Sequence, residues 1–174
     1  WGLGGQFTAW LLGLAIAAAI VGAFAAGGLV ERFGPIHVLR AVLLLWMVAI
    51  SAGIAAAVTG ETGLAWAIGI LGGMALGATW TADRVVMTRV SPPRHLGEFY
   101  GLYATVGRFA TILGPLTWAL IVDVIGLGRR VAMAALIGFI GIGWWVLRRV
   151  DDSERHWNTA DLPIVNTAPD APLI

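Results

Sequence analysis

The sequence contains no cysteine and no lysine, and charged residues make up only 12% of its 174 positions. Without cysteine, neither a disulfide framework nor a thiolate metal site can form. Soluble domains carry roughly 25% charged residues, so this chain lacks the polar surface that a water-soluble fold of its size needs. The mean hydropathy of +0.84 agrees with this. The composition predicts an all-α integral membrane protein, in contact with the lipid bilayer.

The sequence also lacks the residues that several functional classes require. The three histidines, His37, His95 and His156, are far apart and show no helical pairing, so neither a metal site nor a cofactor is expected. The net charge of +1 gives no reason to expect a nucleic-acid partner. The serines have no ordered histidine and acid partners nearby in the sequence. We therefore expect no enzyme, because no acid, base and nucleophile converge.

Five apolar segments follow one another, each long enough to cross a hydrocarbon core of about 30 Å as a helix. They cover residues 7–29, 35–58, 63–90, 98–125 and 129–150. Their short connections predict a compact bundle over residues 1–150. Residues 151–174 are polar and contain several prolines, which predicts a disordered tail.

The arginines predict the orientation of the bundle. They concentrate in the first and third connections and after the fifth segment, at Arg32, Arg40, Arg89, Arg94, Arg148 and Arg149. Alternating helices place these three regions on one side, and the positive-inside rule makes that side cytoplasmic. The C-terminal tail is then cytoplasmic and the N-terminus lies outside. Arg129 and Arg130, on the opposite side, are an exception.

Two features of the helices have a structural and a functional interpretation. Gly69, Gly73 and Gly77 recur every four residues, which indicates close helix packing or an open substrate path. Pro115 interrupts the fourth segment and predicts a bend near Thr111–Gly114, either a static kink or a hinge.

Charged residues inside apolar segments mark either function or charge-paired packing. Asp83 and Arg84 lie late in the third segment, and Arg108 lies about ten residues into the fourth. The short third connection makes an ion pair between Asp83 and Arg108 a geometric possibility. A structural ion pair or a snorkelling arginine is the alternative for Asp83 and Arg84. Asp123 is expected to lie at the membrane interface.

The stretch GGLVERFGPIHVLR resembles the loop signature of the major facilitator superfamily. Gly28, Glu31 with Arg32, and Gly34 carry the match, and Glu31 stands where an aspartate is usual. The resemblance implies a gate at the cytoplasmic side of the membrane. Glu31 and Arg32 would form an ion-pair latch there, with partners on a helix absent from this chain.

The stretch ADRVVMTRVSPPRHLGEFYGLYATVGRFATILGPL resembles the vacuolar-effluxer, autophagy-permease-like family within that superfamily. Asp83 and Arg84 stand in the place of a serine-arginine pair, so Asp83 is a departure, and Tyr100 is a second one. The remaining motif positions are Glu98, Phe99, Gly101, Tyr103, Gly107, Arg108, Gly114 and Pro115. The likeness covers about residues 6–150.

This resemblance implies helices 8–12 of a twelve-helix secondary transporter with alternating access. Helices 1–7, with the N-terminal half, would be missing partners, and the initial Trp1 favours a fragment. The implied activity is movement of a small solute, such as amino-acid efflux, across a bacterial inner membrane. Residues implied on the substrate path are Arg108, Trp80, Asp83 and Arg84. The alternative is a non-transporting helix-bundle module, or a split-gene remnant that needs a partner chain.

Overall fold

The computed structural model describes residues 4–150, and the predicted tail at 151–174 lies outside this range. The described residues form five α-helices and no strand. The helices are α1 Gly5–Phe33, α2 Pro35–Thr59, α3 Thr62–Val90, α4 Leu96–Ala119 and α5 Arg129–Leu147. All five, α4 together with the turns that flank it, are long and apolar enough to cross a membrane. The predicted all-α membrane fold is therefore confirmed.

The first connection is shorter than the sequence suggested, because α1 continues through Glu31 and Arg32 and ends at Phe33. Gly34 alone separates α1 from α2, with a φ of 83° that an L side chain rarely adopts. Its amide donates to the carbonyl of Val30 and so closes α1. Pro35 then begins α2, at a position where its missing N–H leaves no hydrogen bond unmade.

The glycine row of α3 packs directly against α1. The two helices run parallel, with Gly73 against Ala15 and Gly77 against Ala19. A Cβ atom built on Gly73 would overlap the carbonyl oxygen of Ala15, and one on Gly77 would overlap that of Ala19. Only glycine permits this approach of the two backbones. The close-packing interpretation of this row therefore describes its role in the structure.

Helix α2 covers another side of α3. Ala26 and Val30 of α1, Val38 and Val42 of α2, and Ala78 and Ala82 of α3 form the buried cluster where the three helices meet. The indole Nε1 of Trp46 donates to the hydroxyl of Thr79 over 3.0 Å. Thr79 in turn donates to the carbonyl of Ala75 within its own helix. Small side chains and one satisfied polar contact thus hold α2 on α3.

Helices α2 and α5 run antiparallel, and an arginine ties each end of the pair. The guanidinium of Arg40 donates to the carbonyl oxygens of Leu147 (2.9 and 3.2 Å) and Val150 (3.1 Å). At the other end, Arg130 donates to the carbonyl of Ala57 over 3.1 Å. Both arginines satisfy carbonyls that a helix C-terminus leaves without intrahelical partners.

These contacts show which ends of the helices lie together. Arg40 brings the start of α2 to the end of α5, and the parallel α1–α3 pair brings Phe33 near the level of Val90. The first connection, the third connection and the last turn of α5 therefore share one end of the bundle, which we call the basic end. This is the arrangement that the arginine distribution requires.

We expect replacement of Arg40 by methionine to lower the free energy of unfolding by about 1.5–3 kcal/mol, the contribution of a hydrogen bond to a charged group. Arg130→Met is the matched control, because Arg130 makes one exposed bond of the same kind. Its expected loss is less than about 1 kcal/mol. Thermal unfolding in detergent measures both. Equal losses would contradict a stronger tie at the basic end.

Helix α4 packs more loosely than the others. None of its residues is buried within the described chain, and a cavity of about 540 Å³ separates it from α2 and α5. The backbone stays helical through Pro115. Its first departure from α-helical bonding is a π-helical turn at Leu120–Val124, where the amide of Ile125 donates to the carbonyl of Leu120. The irregularity thus lies beyond the segment where the proline predicted a bend.

Candidate functional site

The third connection folds α3 and α4 into an antiparallel hairpin through a short 3-10 turn at Pro93–His95. Asp83 lies seven residues before the end of α3, and Tyr103 lies seven residues after the start of α4. The hairpin therefore places both at the same depth. The hydroxyl of Tyr103 donates a hydrogen bond to the Oδ2 of Asp83.

This hydrogen bond lies beside a cleft of about 440 Å³ between the two helices. We call it the α3–α4 cleft, and its lining residues are Trp80, Asp83, Arg84, Tyr100, Tyr103 and Ala104. Each helix contributes residues three and four positions apart, which share one helix face. Helical periodicity on both sides of the hairpin thus builds the cleft.

The cleft combines groups of different chemistry in one place. Asp83 supplies a carboxylate and Arg84 a guanidinium, and Trp80, 65% exposed, supplies an open aromatic face. The rings of Tyr100 and Tyr103 meet edge to face, with centroids 6.5 Å apart. An ammonium group is attracted by a carboxylate and by aromatic faces, and a carboxylate by a guanidinium. The cleft is therefore suited to a small solute that carries both charges.

The suggested ion pair between Asp83 and Arg108 does not form in the structure. The hydrogen-bond partner of Asp83 among the described residues is Tyr103, not an arginine. Arg108 lies five residues beyond Tyr103 on α4, which moves it about 7.5 Å deeper and about 140° around the helix. It continues the row of Tyr100 and Ala104, one turn past the cleft. No described residue forms a hydrogen bond or an ion pair with its side chain.

The predicted gate residues lie at the basic end, apart from the α3–α4 cleft. Glu31 and Arg32 are exposed in the last turn of α1, and they form no ion pair with each other or with another described residue. Gly34 has a clear local role in the tight turn to α2. A Cβ on Gly28 would meet no atom within 4 Å, so close packing in the described chain does not require this glycine.

The other motif residues of α4 do not line the cleft. Glu98 accepts from the Nδ1 of His95 at 3.2 Å and places an acid in the first turn, where it favours the helix dipole. Phe99 and Gly101 are exposed. Cβ atoms built on Gly107 and Gly114 would meet nothing within 4 Å in the described chain. Asp123 is exposed in the π-helical turn at the far end of α4, consistent with an interfacial position.

Sequence reasoning did not place three of the cleft residues, Tyr100, Tyr103 and Ala104, on the substrate path. Tyr103 was named only as a motif position, although it holds Asp83. A signal was present, because Tyr100, Tyr103 and Ala104 repeat the spacing of Trp80, Asp83 and Arg84 across the connection. Within residues 4–150 no group of three or more histidine, aspartate or glutamate side chains is placed to hold a metal ion.

Comparison with known proteins identifies the family. A family model described as Major Facilitator Superfamily matches residues 1–169. A Bacillus subtilis (strain 168) protein named "Uncharacterized MFS-type transporter YxiO" is 29% identical over 75 residues, which are 43% of this chain and 18% of that protein. The chain thus aligns with about a fifth of that relative's length. No solved structure gives a significant match. Since the family model spans nearly the whole chain, the chain belongs to the major facilitator superfamily.

Proposed function

We propose that the chain supplies helices 8–12 of a twelve-helix secondary transporter that moves a small solute by alternating access. The superfamily match and the five membrane-length helices support this. The uncovered faces of α1 and α4 leave room for the remaining helices, because Phe24 is 81% exposed and α4 has no buried residue in the described chain. The proposed orientation puts the basic end in the cytoplasm of a bacterial cell.

The α3–α4 cleft is the observation that carries the proposal. Side chains of two membrane helices line this open cleft, and they present an acid and a base beside aromatic rings. Transport sites of this kind lie between helices and bind polar solutes away from lipid. The charges favour a zwitterion such as an amino acid: Asp83 would face the ammonium group, and Arg84 the carboxylate. Arg108 lies one turn closer to the middle of the membrane. It would bind the carboxylate after Arg84, as the solute moves from the cleft towards the membrane centre.

The proposal includes the gate. Glu31 and Arg32 would pair with groups on a helix outside this chain when the cytoplasmic side closes, and separate when it opens. Glu31→Gln in the full-length transporter should then increase the labelling of a cysteine introduced at the cytoplasmic side, because more of the protein is in the open state. Equal labelling of the variant and the parent would remove the latch from the mechanism.

Uptake into proteoliposomes tests the cleft in the full-length protein. We expect Asp83→Asn to reduce uptake of zwitterionic amino acids about tenfold or more, because a hydrogen bond to a charged group contributes about 1.5–3 kcal/mol. Tyr103→Phe should cause a smaller loss, since it removes only the bond that holds Asp83 in place. Asp123→Asn is the matched control: it removes an exposed carboxylate far from the cleft and should leave uptake unchanged.

Two outcomes would count against different parts of the proposal. Uptake that survives Asp83→Asn unaltered would take the α3–α4 cleft out of the substrate path. Absence of uptake for every amino acid, with uptake of another solute, would overturn the substrate class alone. The coding sequence upstream of Trp1 separates a transporter half from a stand-alone module, because the proposal requires about seven further membrane helices there.

A further inference from the structure

A further cavity lies between α1 and α2. It is a groove of about 610 Å³, with α3 as its floor. Its walls are apolar and mostly small, formed by side chains such as Ala25, Leu29, Ala41, Val42 and Leu45. None of the residues that line the α3–α4 cleft lines this α1–α2 groove.

The ionisable residues of the groove lie at one of its ends. Among its described lining residues, Arg32 and His37 carry the ionisable side chains, and both lie at the basic end. The guanidinium of Arg32 lies 5.4 Å from the ring centroid of Phe33. It forms no hydrogen bond or ion pair with a described residue. Glu31, its neighbour in sequence, does not line the groove. The apolar α1–α2 groove therefore ends at the guanidinium of Arg32, which can donate hydrogen bonds to an anion.

The length of the groove matches one leaflet of a bilayer. On α1 it extends from Gly22 to Arg32, ten residues apart, which corresponds to about 15 Å along the helix axis. The hydrocarbon core of a membrane is about 30 Å thick, so one leaflet contributes about 15 Å. Arg32 near the end of α1 then lies at the level of the headgroups, and Gly22 near the middle of the membrane.

We propose that the α1–α2 groove binds an anionic phospholipid of the leaflet at the basic end. One acyl chain lies along the small side chains of α1 and α2, and the phosphate accepts hydrogen bonds from Arg32, beside His37. Basic pockets between membrane helices recognise anionic headgroups in this way, and the apolar walls give the acyl chain its place. Arg32 also belongs to the proposed gate, but the groove shares no lining residue with the α3–α4 cleft, so the lipid site and the transport cleft can fail independently.

Native mass spectrometry of the detergent-purified full-length protein, titrated with single lipids, tests the charge. Phosphatidylglycerol should bind about fivefold more tightly than phosphatidylcholine with the same acyl chains, the factor for one arginine near an anionic headgroup. Arg32→Gln should make the two affinities equal. Arg129→Gln is the matched control, an exposed arginine at the opposite end of the bundle, and should keep the preference. Equal affinities in the parent protein, or a preference that survives Arg32→Gln, would overturn the proposal.

A second substitution tests the groove itself. Ala41 is an exposed lining residue of α2, so Ala41→Phe fills the groove without entering the buried core. We expect this variant to bind both lipids several-fold more weakly, and circular dichroism should show unchanged helicity. Glycerol phosphate, the headgroup without chains, should not compete with phosphatidylglycerol at equal concentration. Lipid binding that is indifferent to Ala41→Phe would mean that protein covers the groove or that the headgroup binds alone, and either result overturns the proposal.

Discussion

Replacing Gly77 by leucine is expected to prevent stable packing of α1 on α3, whereas the same change at Gly72 is expected to be tolerated. A Cβ on Gly77 would overlap the carbonyl oxygen of Ala19, an atom of the α1 backbone that no rotamer change can move away. At Gly72 a Cβ would meet no atom within 4 Å. The two positions lie in the same helix, so helix propensity changes equally at both.

The loss at Gly77 should exceed about 3 kcal/mol, above the usual cost of overpacking, because a whole helix must shift. Gly77→Ala should already be destabilising, while Gly72→Ala should be neutral or slightly stabilising. Size-exclusion recovery and thermal unfolding in detergent measure both pairs. Similar stability for Gly77→Leu and Gly72→Leu would show that α1 and α3 do not approach as closely as the structure has them.

Arg108→Ala is expected to reduce transport by the full-length protein about 100-fold while leaving its thermal stability equal or higher. A charged side chain near the middle of a membrane helix costs about 2.5–3.5 kcal/mol by insertion scales. Arg108 lies midway along α4 and has no ion-pair or hydrogen-bond partner among the described residues. Because the Arg108 side chain is costly to bury and no described residue pairs with it, its removal should not destabilise the bundle.

The size of the transport loss follows from the proposed role. Truncating one member of a desolvated charge pair costs about 2–5 kcal/mol, and about 2.7 kcal/mol corresponds to 100-fold. Arg108→Lys keeps the charge without the planar fork and should retain part of the activity, whereas Arg108→Gln should not. A structural arginine would behave differently: the alanine variant would melt at a lower temperature. That result, or full transport by the alanine variant, would be inconsistent with a role on the substrate path.

The agreement between sequence and structure is best where a single helix decides the outcome. Composition and segment length were sufficient for five membrane helices, because each must satisfy its own backbone hydrogen bonds in lipid. The spacing of Gly69, Gly73 and Gly77 placed them on one face for the same local reason. The helix ends were less well predicted, as at Glu31 and Arg32, since an apolar run marks the hydrocarbon core and a helix can continue beyond it.

Partners across helices were the part that the sequence could not supply. An arginine was suggested as the partner of Asp83 because opposite charges attract. In the structure, the hydrogen bond to Asp83 comes from the neutral side chain of Tyr103. Arg40 was counted only as a topology signal, although it binds the end of α5. In both cases the contact depends on rotation and depth of two helices relative to each other. A difference of five residues along α4 places Arg108 about 7.5 Å deeper in the membrane than Tyr103, the residue that bonds Asp83.

The sequence by itself determined that this protein is an all-α membrane protein with five spans, a basic end and a glycine face, because hydropathy, charge and helical period act within each helix. The tertiary structure alone decided what those faces meet: α1 on the glycines, Tyr103 on Asp83, and an open groove ending at Arg32. The physical reason is that lipid solvates every apolar helix face alike. Only direct packing and hydrogen bonds between helices choose which faces come together.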